Sequence, residues 1–170
     1  GSVTNETRAA TSTFYPNPAF HDDGAGIAYL YVGSTNGLNR RSRAGDWAEY
    51  PTITARFVTQ AGGTLWRTTS DYQASKCPSA SDPTNLINWS TPGYYVGTNE
   101  AAITSIGALG SAVVIGKENG VYQFNEADGR FDVILPMEFH PDNCPFMKPD
   151  AEGNLLTSSA DGALIRIDRY

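Results

Sequence analysis

The stretch "AVVIGKENGVYQFN", residues 112–125, decides the fold. Apolar residues run from Ala112 up to Gly116. Asn119-Gly120 supplies a turn dipeptide. Beyond it Val121, Gln123 and Asn125 alternate with Tyr122 and Phe124, the period of two expected of a strand with one buried face. Taken alone this is a β-hairpin, and Asn-Gly predicts a type I′ turn, in which both central residues have positive φ.

Two other stretches repeat the pattern: "AYLYVGSTNGLNRRS" from Ala28 and "NLLTSSADGALIRID" from Asn154. Each runs an apolar strand into a short polar loop closing on Asn36-Gly37 or Asp161-Gly162. Asn36, Gly37, Asn119, Gly120, Asp161 and Gly162 are therefore read as structural turn residues. Spacing is the stronger observation. Gly120 and Gly162 stand 42 positions apart, and Gly37 and Gly120 stand 83 apart, close to twice that. A period of about 40–45 residues made of short strands and glycine turns is that of a four-stranded propeller blade.

The copy expected between Gly37 and Gly120 is degenerate. Its strand-like Leu65-Trp66-Arg67-Thr68 is followed by a polar loop through Asp71, Asp82 and Pro83 to Trp89. Helix signals are scarce: only short stretches such as Asp22–Ala28 have room for a helical turn or two, and glycine interrupts them. The fold class expected is all-β, with three to four blades. Residues 1–25 form an irregular N-terminal segment and 26–170 the blades, clearest at 95–135 and 136–170. After the strand Leu164–Asp168 no segment remains to pair with the first blade, so these residues are not expected to close a ring by themselves.

Composition agrees. The 170 residues are 40% hydrophobic and 18% charged, which places the chain among globular proteins. Seventeen Gly and ten Pro supply the dense turns of an all-β chain. A net charge of −6 argues against nucleic acid as a partner, and the run Arg40-Arg41-Ser42-Arg43 is read as a solvated turn. No apolar run approaches the ~20 residues of a membrane helix, so membrane insertion is not expected.

The run "NWSTPGYYVGTNEAAITSIGALGSAVVIGKENGVYQFN" resembles β-propeller proteins encoded among tailed-phage and prophage structural genes. Trp89, Val96-Gly97, Ile103–Ile106 and Gly116–Tyr122 carry that resemblance, which covers about residues 57 to 168. The loop from Asp71 to Trp89 is loosely similar to the Asp-box of sialidase-type (BNR) blades, although there the Asp and Trp stand in one tight run. The resemblance implies protein subunits of a larger assembly as partners, and a virion or extracellular surface as the location. Its motifs are turns and strands, which speak of fold more than of chemistry.

Candidate sites follow from residue type. Glycosidase chemistry needs two carboxylates facing one pocket, and a sialidase-like site adds arginines and a tyrosine nucleophile with a glutamate. Tyr122 and Glu126 are near in sequence but lie across a strand end and its turn, so no catalytic residue is assigned. His140, Asp142 and Cys144 gather metal-capable side chains within five residues but lack a fourth ligand, so no metal or cofactor is assigned. Cys77 and Cys144 are expected to be reduced and unpaired. Trp47, Trp66 and Trp89 are the candidate ligand-binding residues, as a stacking surface for a glycan. The competing reading, favoured for Trp66 and Trp89, is packing between blades.

The reading favoured by the sequence is a non-catalytic structural or binding module. The alternative is a carbohydrate-binding or glycoside-hydrolysing propeller.

Overall fold

In the computed structural model, which describes residues 13–15, 17–43, 45, 47–137, 147–159 and 161–169, the chain is all-β apart from one 3-10 turn at Leu86–Asn88. Its strands form four antiparallel sheets, each a meander whose strands pair in chain order. The first contains β1 (Ala19–Asp22), β2 (Ala28–Ser34), β3 (Gly37–Arg41) and β4 (Trp47–Tyr50). The second contains β5 (Val58–Ala61), β6 (Thr64–Thr68), β7 (Gln73–Cys77) and β8 (Tyr94–Tyr95). The third contains β9 (Ile103–Leu109), β10 (Ala112–Lys117), β11 (Gly120–Asn125) and β12 (Arg130–Leu135). The fourth contains β13 (Lys148–Pro149), β14 (Leu155–Ser158) and β15 (Leu164–Ile167).

The first strands of the sheets are neighbours in space: β5 lies beside β1 and β9, and β9 lies beside β13. Sheets that meet at their first strands and fan outward are propeller blades around an axis. The core lies between them as three apolar clusters. Tyr31, Leu38 and Ile53 pack against Val58, Leu65 and Trp89 between blades 1 and 2. Trp66, Ala74 and Val96 meet Ile106, Ile115 and Phe124 between blades 2 and 3. Val114 and Val121 meet Met147 and Leu155 between blades 3 and 4. Burying such side chains contributes about 1.5–3 kcal/mol each, so the stack of blades is the main source of stability.

Several expectations need correction. The first blade begins at Ala19, inside the stretch read as irregular. β1 is only four residues long, with Ala19 and His21 buried and Phe20 and Asp22 exposed, too short an alternation to register as a pattern. Asp22–Ala28 is not helical: it contains the β1–β2 loop, in which Asp22 Oδ1 accepts from the Gly24 and Gly26 N–H groups at 2.8 and 3.0 Å. Arg40 and Arg41 are not a solvated turn but the end of β3. Arg40 lies over the Tyr29 and Tyr50 rings and 3.6 Å from Asp82 across the blade interface. The degenerate second copy is a complete four-stranded sheet.

The Asn-Gly turns are not type I′ either. Ser34 pairs with Gly37 and Lys117 with Gly120, so the two-residue loops are Thr35-Asn36 and Glu118-Asn119. Neither asparagine has positive φ, and the glycine takes the fourth position, which type I turns favour. Close approach explains Gly37: a Cβ there would stand 2.7 Å from the Tyr50 carbonyl oxygen. At Gly162 nothing lies within 4 Å and the reason is its left-handed backbone, with φ of 86°.

Candidate functional site

The four inner strands line a half-open pocket of about 270 Å³ on the side of the axis. Phe20 of β1, Thr59 and Gln60 of β5, Ile106 of β9, and Lys148 and Pro149 of β13 line it. Asn17 stands in the wall just before β1 in a left-handed conformation (φ 83°), which asparagine tolerates better than most residues. Its Nδ2 donates to the Ile106 carbonyl at 3.3 Å, while Oδ1 is buried without a partner among the described residues. Lys148 is the charged residue among those lining the pocket, and among the described residues no ion pair reaches it. Partial desolvation lowers its amine below the usual lysine range.

A second feature is the face of blade 1 turned away from blade 2. Phe20 pairs with Leu30, Leu30 with Arg41 and Arg41 with Trp47, so these four share that face. Phe20 is 68% exposed. With Ala28, Leu30, Ser42 and the two arginines Arg41 and Arg43 it lines a mainly apolar cleft of about 400 Å³.

Of the three tryptophans, Trp66 and Trp89 lie in neither setting. Trp66 is 2% exposed, with the Phe124 and Phe131 rings 4.8 and 5.9 Å from its own. Trp89 is 3% exposed, donates its indole N–H to the Pro83 carbonyl at 2.9 Å and lies under the Arg67 guanidinium. Neither offers a face to a sugar, so their assignment as ligand-binding residues is corrected to packing between blades. Trp47 is half-buried on β4, its ring 5.0 Å from that of Phe14.

The remaining candidates are scattered. The Tyr122 hydroxyl donates to Asn119 Oδ1 at 3.2 Å, and Glu126 pairs with Lys76 at 2.9 Å. His140, Asp142 and Cys144 lie outside the described residues. Among the described residues no three metal-capable side chains cluster. Cys77 is a buried free thiol; burial, aided by Asp82 and opposed by Arg67, pushes it up to about 12.

Two buried cations escaped the sequence reading. Arg67 on β6 donates to the Thr54 carbonyl at 2.6 Å, and burial lowers its guanidinium to about 10. Lys117, fully buried at the end of β10, donates to the Val96 carbonyl at 2.7 Å and to that of Thr98. It ties the linker after blade 2 to blade 3. Burial lowers its pKa, with Glu100 and Glu118 opposing.

No protein-family model matches the chain, and no curated protein does. Solved structures are similar in fold. Virginiamycin B lyase from Staphylococcus aureus has a TM-score of 0.60 at 13% identity, over 89% of this chain and 53% of the lyase. The WD40 β-propeller domain of Doa1 has a TM-score of 0.54 at 14% identity, over 81% of this chain and 45% of that one. The computationally designed Ika4 protein has a TM-score of 0.56 at 11% identity, over 98% and 96%. The chain spans about half the length of the lyase and the WD40 domain. At these identities the likeness is one of fold: the four sheets are β-propeller blades in a partial ring.

Proposed function

We propose that the chain is a non-catalytic structural and binding module, an arc of propeller blades completed by further blades within an assembly on a virion or another extracellular surface. The observation that carries this reading is the free face of blade 1. Each of the three interfaces between blades buries an apolar cluster, whereas the equivalent outward face leaves Phe20 exposed beside Leu30 above an apolar cleft. Exposed apolar patches of this kind mark surfaces that meet another protein. The completing blades come from a longer chain or from partner subunits. The virion setting rests on the resemblance to tailed-phage propellers.

The alternative, a carbohydrate-binding or sialidase-like propeller, draws support from the axial pocket. A glycan array combined with a glycoside hydrolysis screen separates the two readings. The proposal expects no turnover of any arrayed glycan, and turnover would overturn it. In parallel, an apolar fluorescent dye should bind the chain and lose most of its signal on Phe20→Asp. A chain that does not enhance the dye counts against the free face.

A further inference from the structure

We propose that the axial pocket binds a small hydroxylated carboxylate of sugar-acid type, with Lys148 facing the carboxylate and Thr59, Gln60 and Asn17 facing the hydroxyls. The inference begins with charge. In a chain of net charge −6, Lys148 is the charged residue lining the pocket, and no carboxylate among the described residues pairs with it. One ammonium without fixed counter-charge suits a single negative charge. A phosphate dianion is better served by arginine forks or a nest of backbone N–H groups, and among the described residues no arginine lines this pocket.

The neutral groups define the rest of the ligand. Thr59 and Gln60 supply a hydroxyl and a carboxamide, which both donate and accept, as sugar hydroxyls require. Asn17 adds an acceptor, Oδ1, that the described residues leave unpaired because Nδ2 is committed to the Ile106 carbonyl. Phe20, Ile106 and Pro149 provide an apolar wall for the C–H face of a sugar ring, and few polar groups in an apolar wall are the ordinary make-up of a small-molecule site. The volume of about 270 Å³ fits one sugar residue, free or at the end of a glycan.

The test is an NMR titration of the ¹⁵N-labelled chain with D-glucuronate, D-glucose, acetate and an oligosaccharide ending in glucuronate, at matched salt. Saturable shifts are expected for D-glucuronate at Thr59, Gln60 and Ile106, with glucose and acetate each weaker by about tenfold or more. Binding of the oligosaccharide as well identifies a glycan end as the source. Binding of the free acid alone identifies a free metabolite. Lys148→Gln, an exposed change that leaves the fold intact, should weaken D-glucuronate about tenfold while leaving the glucose response as it was. Absence of saturable shifts, shifts away from the inner strands, or equal affinity for D-glucuronate in Lys148→Gln would each overturn the proposal.

Discussion

Replacing Gly33 with alanine tests how the blades are spaced. Gly33 lies in β2, and a Cβ there would stand 2.3 Å from the Arg56 carbonyl oxygen and 2.5 Å from that of Ala55. Both atoms are backbone and belong to the linker between blades 1 and 2, so no side-chain rotation relieves the clash. The neighbouring Ser34 N–H donates to the same Ala55 carbonyl at 3.0 Å, and moving the linker away breaks that bond. Overpacking costs about 1–3 kcal/mol and the lost hydrogen bond about 1 kcal/mol, giving roughly 2–4 kcal/mol in all. Gly129 is the control: its φ is 64° and a Cβ added there would meet nothing within 4 Å. Gly129→Ala therefore carries only the left-handed backbone term, about 1–2 kcal/mol. Urea denaturation of both variants, with equal slopes, measures the difference. A Gly33→Ala variant no less stable than Gly129→Ala would refute the close approach of linker and blade.

Trp66→Ala should destabilise by about 3–5 kcal/mol, because its ring fills the space between blades 2 and 3; thermal melting checks it, and a near-neutral change would return Trp66 to the exposed ligand-binding residues. Lys117→Met should cost about 1–3 kcal/mol by leaving the Val96 and Thr98 carbonyls unpaired, with faster amide exchange from Val96 to Thr98 as the local signature. The Cys77 thiol, at about 12 in the fold against 9.0 when unfolded, contributes stability that is intact below pH 9 and is lost as pH rises from 9 to 12. The loss runs at about 1.4 kcal/mol per pH unit, so the urea midpoint of Cys77→Ala should fall less steeply from pH 9 to 10.5 than that of the native chain.

The period of the fold was legible because its signal is local. Asn119-Gly120 and the strands around it sit within one hairpin, and the same unit recurs at Gly37 and Gly162. What was missed depends on contacts distant in sequence or on short elements. The second blade lost its glycine signal because its β6–β7 turn is held by other means: Thr69 N–H donates to the Gln73 carbonyl at 2.9 Å and Tyr72 N–H to Ser70 Oγ at 3.2 Å. The turn type was not legible because Asn-Gly serves two geometries, with the glycine third in a type I′ turn and fourth in the turns formed here. The axial pocket was invisible because Phe20, Thr59, Ile106 and Lys148 stand about forty positions apart and meet only when the blades converge. Burial of Trp66 and Trp89 was anticipated from residue type. The exposed Phe20 was not, since its strand was not recognised.

The central claim is that these residues form an arc whose free blade-1 face is covered in the working assembly. Multi-angle light scattering of the isolated chain across a range of concentrations tests it most directly. The account predicts species heavier than the 18.3 kDa monomer, increasing with concentration and suppressed by Phe20→Asp. A single 18.3 kDa species at every concentration, with no apolar dye bound, would contradict it.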